Sequence, residues 1–145
     1  MEINTIKTMI LAITGTLGAL ISQAFGGWDS AMTTLLIFMA TDYITGLIVA
    51  GVFKKSKKSQ NGLLESKAGF QGLCKKGVML LIVLIAIRLD LMLGIQYIKA
   101  GAIIAFCSNE LISLIENAGL MGVWIPPIIN KAIDMLQEKT EQGDV

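Results

Sequence analysis

Four long apolar segments constrain the fold of this chain more than any other feature of its sequence. A helix that crosses the ~30 Å hydrocarbon core of a bilayer needs about 20 residues, and each of the four segments reaches that length. The pattern predicts an all-α, polytopic membrane protein with about four transmembrane helices, organised as one domain over residues 1–145. The predicted spans are 7–26, 30–53, 77–97 and 101–122.

The composition also indicates a surface that faces lipid. Hydrophobic residues make up 54% of the chain and charged residues 16%, whereas soluble domains average about a quarter charged. A water-soluble domain of this size could not bury so much apolar surface. The net charge of +1 gives no reason to expect nucleic-acid binding. The absence of His removes the catalytic triads that use it as a base and most zinc sites.

A lysine-rich loop over residues 54–76 sets the predicted topology. It holds seven lysines and one acidic residue, Glu65. The positive-inside rule places such a loop in the cytoplasm, so both termini are expected there as well (N-in, C-in). The alternative role for its lysines is protein binding or gating. Those expected to contact lipid headgroups and fix the topology are Lys54, Lys55, Lys57, Lys58, Lys75 and Lys76.

The two ends of the chain carry further signals. After Pro127, apolar residues recur at helical spacing, which predicts a short amphipathic helix over about 128–139, on the inner membrane face or on a partner. The tail over 140–145 is predicted to be disordered. At the other end, Ser22-Gln23-Ala24 is an acceptable signal-peptidase site, so N-terminal cleavage is an alternative to a retained first span.

Five ionisable side chains fall inside the predicted spans. Each costs about 2.5–3.5 kcal/mol at the centre of a bilayer, and such groups therefore face protein or water, or else protonate. Arg88 and Asp90 are two residues apart on one helix and point to nearly opposite sides, so they cannot pair with each other. Each therefore needs a partner elsewhere. The five are Asp42, Arg88, Asp90, Glu110 and Glu116.

Polar side chains follow one face of the predicted fourth helix, within a sector about 120° wide at ~100° per residue. Four helices have a small interior, so we expect several copies to associate and to turn these faces towards one another or towards water. Internal hydrogen bonding in one copy and an ion or proton site are the alternatives. The pore or oligomer-interface candidates are Asp42, Thr45, Gly46, Asp90, Asn109, Glu110, Ser113, Glu116 and Asn117.

Small residues form a ridge along the predicted first helix, at Gly15, Gly18, Ala19 and Ser22. Small side chains let membrane helices approach closely, so the ridge is a candidate helix-packing surface between copies or within one. Catalysis is not favoured. Asp42 and Asp90 could suggest an aspartyl protease, but neither lies in a glycine-flanked setting, and the chain has no phosphate-binding loop.

Three stretches of the chain resemble the phage lysis holin / clostridial toxin-secretion holin family. They are residues 42–46, followed by lysines; residues 66–69, leading to Lys75 and Lys76; and residues 109–118, followed by Gly122 and Pro126. The resemblance implies a small protein of the bacterial cytoplasmic membrane that accumulates and then oligomerises into lesions. These lesions release an endolysin, or a large toxin, through a functional pairing without implied direct contact. It also implies no enzymatic activity and no cofactor. From the residues themselves, no metal site is expected either.

Two other classes of function remain open at this point. A small ion or solute channel or transporter would give selective flux without killing the cell. A membrane-anchored adaptor, displaying the lysine loop and the C-terminal helix, would leave permeability unchanged.

Overall fold

The long apolar runs of the sequence form helices, and glycines or prolines lie in the turns between them. The last helix is amphipathic instead and begins at Pro127. The computed structural model describes residues 3–142, and among these no strand is present. The all-α prediction is confirmed. The helices are α1 (Ile3–Ala24), α2 (Ser30–Ile48, continued by a π-helical turn over Val49–Phe53), α3 (Ser66–Leu93), α4 (Ile98–Leu120) and α5 (Pro127–Gln142).

Three of these helices are long and apolar enough to cross a membrane: α1, α2 with its π-helical turn, and α4. The 28-residue α3 is long enough, but Arg88 and Asp90 interrupt its apolar part, and Lys76 lies directly before that part. Membrane insertion of α3, and with it the count of four spans and the position of both termini, stays a prediction.

The helix bounds differ from the predicted spans most at α3. This helix begins at Ser66, directly after the extended residue Glu65, so the second half of the predicted lysine loop is helical. The reason is that lysine has a good helix propensity. A run of lysines indicates the cytoplasmic side of the membrane, but it does not end a helix. The remaining loop folds back at Gly62, where a Cβ atom would lie 2.6 Å from the Lys54 carbonyl oxygen.

Packing centres on α4, which contacts α2, α3 and α5, whereas α2 and α3 contact each other less extensively. Since lipid removes the hydrophobic driving force between helices, their association in a bilayer depends on close packing and polar contacts. The buried apolar core consists of Met32, Leu35 and Met39 of α2, Val83 and Ile87 of α3, and Ile103 and Cys107 of α4.

The first and last helices lie outside this core. No residue of α1 is buried, and a Cβ atom added at Gly15 or Gly18 would have no neighbour within 4 Å. The amphipathic α5 packs on α4 and buries Ile133. It extends to Gln142, beyond the predicted 128–139, and residues 143–145 of the predicted disordered tail lie outside the described residues.

Two aspartates tie the helix ends together at one end of the bundle. Asp29 caps α2 by accepting the Met32 N–H at 2.7 Å, and it also accepts from Lys99 Nζ at 2.6 Å. The hydrogen bond from Lys99, with that from Met32, holds the pKa of Asp29 below its usual value. Asp90 accepts the backbone N–H groups of Ile98 and Lys99, each at 2.9 Å, and so caps α4 from the preceding helix.

Candidate functional site

Three charged side chains meet inside the bundle, one from each of α2, α3 and α4. Lys76 Nζ donates to Asp42 Oδ2 at 2.8 Å and also to Glu110 Oε2. The exposed fraction of the side chain is 12% for Lys76, 5% for Asp42 and 4% for Glu110. Because a buried charge is tolerated only when it is paired, Lys76 acts as the shared counter-ion of both carboxylates. We call these three residues the ion cluster.

A buried amide extends the ion cluster. Asn117 Nδ2 donates to Asp42 Oδ1 at 3.0 Å and lies 3.1 Å from Thr45 Oγ1. A Cβ atom at Gly46 would lie 3.7 Å from the same nitrogen, in ordinary contact. The polar side of α2 therefore packs directly on α4, and its hydrogen-bonding groups are satisfied within one copy.

A cleft of about 480 Å³ opens between α3 and α4, with the ion cluster at its floor. Lys58, from the loop before α3, reaches into it: its Nζ lies 3.3 Å from Ser113 Oγ and 3.8 Å from Asp42 Oδ2. We call this opening the polar cleft. Its charged lining is balanced, with three acidic and three basic side chains: Asp42, Glu110, Glu116, Lys58, Lys75 and Lys76.

The ion cluster lies well inside the length of the bundle. Along α2 the rise from Ser30 to Asp42 is roughly 18 Å at ~1.5 Å per residue. A hydrocarbon layer ~30 Å thick that begins near Asp29 would enclose it. The apolar core fills the half of the bundle towards Asp29, and the polar cleft opens in the other half, next to the lysine-rich loop.

Three of the ionisable residues in the predicted spans find no ion-pair partner within residues 3–142. Asp90 accepts two backbone N–H groups instead. Glu116 is exposed at the polar cleft, and Arg88 is exposed on α3 away from it. Asn109 is also exposed at the cleft. One copy thus satisfies the buried half of the α4 polar stripe and leaves the other half open.

The structure brings together most of the residues that the sequence singles out. The interface candidates Asp42, Thr45 and Gly46 of α2 meet the stripe of α4. Asp90 does not join them, because it lies at the opposite end of α3 as the cap of α4. The ridge on α1 is uncovered, and Lys54, Lys55 and Lys57 are exposed in the loop.

The role of Lys76 as a buried counter-ion is the feature that sequence reasoning missed. From sequence, Lys76 belongs to the lysine run that predicts the topology, and nothing in that run distinguishes it from its neighbours. The available signal was its position directly before the apolar part of α3, where two buried carboxylates on other helices needed a cation. Within residues 3–142 no group of three His, Cys, Asp or Glu side chains could hold a metal ion.

Comparisons with known proteins agree with this membrane architecture. The family model of the bacteriophage holin family matches residues 19–138. An uncharacterized protein of Clostridium perfringens strain 13 is 37% identical over 125 residues, which cover 85% of this chain and 87% of that protein. An uncharacterized Listeria monocytogenes protein is 35% identical over 128 residues, which cover 88% of this chain and 86% of that protein.

One of the similar proteins comes from a bacteriophage and has a name that states a function. The "probable holin" of Bacillus phage phi105 is 29% identical over 115 residues, covering 76% of this chain and 79% of the phage protein. No solved structure matches the chain. Because the family model spans most of the sequence, including α2, α3 and α4, the chain belongs to the bacteriophage holin family.

Proposed function

We propose that this chain is a holin: it accumulates in the bacterial cytoplasmic membrane, associates with further copies of itself and opens lesions that release an endolysin. In a secretion setting the released protein is a large toxin. The proposal includes four spans, with α3 as the third, and both termini in the cytoplasm. The exposed lysines of the loop before α3 support this orientation.

The main support for this proposal is the polar stripe of α4, which is buried only in part. Glu110 and Asn117 are buried and paired, whereas Asn109 and Glu116 on the same helix are exposed. Polar groups of a membrane helix are costly against lipid, so they turn towards protein or water. A second copy or an aqueous lesion provides that environment.

The ion cluster accounts for accumulation without damage. By joining α2, α3 and α4 it keeps the deepest polar groups inside one copy. Association through the exposed part of the α4 stripe then turns polar clefts towards one another, and water enters between copies. The uncovered α1 ridge at Gly15, Gly18, Ala19 and Ser22 offers a second contact surface. Since many copies act together, the onset is steep in protein concentration.

The experiment is induction of the full chain in bacteria with and without a co-expressed endolysin that has no export signal. We expect a sudden loss of membrane potential and viability in both cultures, and lysis only where the endolysin is present. Selective flux without cell death would instead support a small channel or transporter. Unchanged permeability would support an adaptor, and either result would contradict the proposal.

A further inference from the structure

The polar cleft continues into an apolar surface. A shallow groove of about 690 Å³ lies between the same two helices and is lined by Val78 and Phe106, among other residues. Cleft and groove share Lys75, Met79 and Asn109. We call this second feature the apolar groove. Both volumes fall within the ~300–1,000 Å³ of ordinary small-molecule sites.

The order of the two features along the bundle matches a lipid of one leaflet. The cleft reaches towards Ala68 and Glu116, near the lysine-rich loop, whereas the groove reaches towards Phe106 and the middle of the bundle. With that loop in the cytoplasm, the polar feature lies at the inner membrane surface and the apolar feature points to the bilayer centre. A phospholipid of the inner leaflet has the same polarity.

The free charges at the cleft identify the headgroup. Lys76 is shared by Asp42 and Glu110, and Lys58 contacts Ser113 and Asp42. The cleft-lining charges left without an ion pair within residues 3–142 are Lys75 and Glu116, one of each sign. Such a pair complements a zwitterionic headgroup, with its phosphate at the lysine and its ammonium at the glutamate.

We propose that the polar cleft and the apolar groove together bind one aminophospholipid of the inner leaflet, phosphatidylethanolamine in chemical class. Lys75 holds the phosphate, Glu116 holds the primary ammonium, and one acyl chain lies against Val78, Met79 and Phe106. The bound lipid covers Asn109 and Glu116 in the single copy, the same face that association would cover.

Cys74 supplies a built-in reporter. It lines the apolar groove and is exposed, whereas the only other cysteine, Cys107, is buried. The full chain in detergent micelles is alkylated with a thiol reagent while phosphatidylethanolamine is added, and lipids retained on the protein are counted by native mass spectrometry. At a lipid concentration about ten times Kd, occupancy slows Cys74 alkylation by about tenfold.

Three variants make the test specific. Lys75→Gln abolishes the protection, and Lys67→Gln, an exposed lysine of α3 outside both features, leaves it at the wild-type level. Glu116→Gln removes the preference for phosphatidylethanolamine over phosphatidylglycerol. A Cys107 thiol that stays unreactive in each variant shows that the bundle is intact.

Four results would overturn the proposal. They are no protection by any lipid, equal protection in the Lys75 variant, protection by inorganic phosphate alone, and protection without lipid that grows with protein concentration, which indicates a second copy in the groove. The assay measures binding in micelles and involves no lesion. Its failure therefore leaves the proposed holin function standing, and failure of the lysis experiment leaves the lipid site standing.

Discussion

Lys76 determines whether the interior of the bundle can hold its two carboxylates. Asp42 and Glu110 could be singled out from sequence because an acid in an apolar segment is costly and needs an explanation. Lys76 could not be singled out from sequence, because it is one of seven lysines in residues 54–76, and all seven are explained as a topology signal. Only the packing of α3 against α4 and α2 distinguishes Lys76 from its neighbour Lys75.

Replacing Lys76 with Met leaves Glu110 without a counter-ion and leaves Asp42 with only the exposed Lys58 at 3.8 Å. Breaking a buried ion pair in this way costs about 3–5 kcal/mol of bundle stability. We expect a correspondingly lower unfolding midpoint in detergent, followed by circular dichroism. The matched control is Lys75→Met, because Lys75 is exposed on the same helix and should leave the midpoint nearly unchanged. Adding Asp42→Asn and Glu110→Gln to the Lys76 variant should restore part of the loss, and equal midpoints for Lys76→Met and Lys75→Met would contradict the assignment.

Among the helices, α2 follows the sequence most closely and α3 least. The apolar run of α2 predicts both of its ends, because Asp29 caps one and the lysines begin at the other. The observed start of α3 at Ser66 differs from the predicted start at residue 77, because the first residues of the helix are polar yet suited to a helix. The cap that Asp90 provides for α4 could not be predicted from periodicity, because it joins two helices across a turn.

The Asp90 cap is testable by two substitutions. Asp90→Ala leaves the N–H groups of Ile98 and Lys99 without their acceptor and should cost about 1 kcal/mol of stability. Asp90→Asn keeps one oxygen acceptor and should cost less. Unfolding midpoints of the two variants measure the difference. An alanine variant as stable as wild type would show that the carboxylate does not hold the turn.

At the scale of the whole molecule, the sequence predicted the membrane class and the family, but not how the helices meet. Long apolar runs identify membrane spans because a segment in lipid must form all its backbone hydrogen bonds internally, as a helix does. The contact of Lys76 with Asp42 joins residues far apart in the chain, and local periodicity carries no information about such pairs. Local periodicity also carries no information about the position of α1, none of whose residues is buried against the core.

The predicted orientation can be read from Cys74, which is exposed on α3 near the lysine loop. A membrane-impermeant thiol reagent should label it in inverted inner-membrane vesicles, slowly where lipid occupies the apolar groove, and should leave it unlabelled in intact spheroplasts. Cys107 is buried and should stay unlabelled in both, which a denatured sample controls. Labelling of Cys74 from the outside would reverse the topology.

The exposed part of the α4 stripe is the central element of the proposed lesion, and one measurement tests it most directly: the time of endolysin-dependent lysis after induction of Glu116→Leu. The control is Thr34→Leu, which also replaces an exposed polar residue of a membrane helix but lies outside the polar cleft. We expect Glu116→Leu to shift the lysis time and the yield of chemically crosslinked oligomers, and Thr34→Leu to keep both. Wild-type timing and crosslinking in the Glu116 variant would contradict the account.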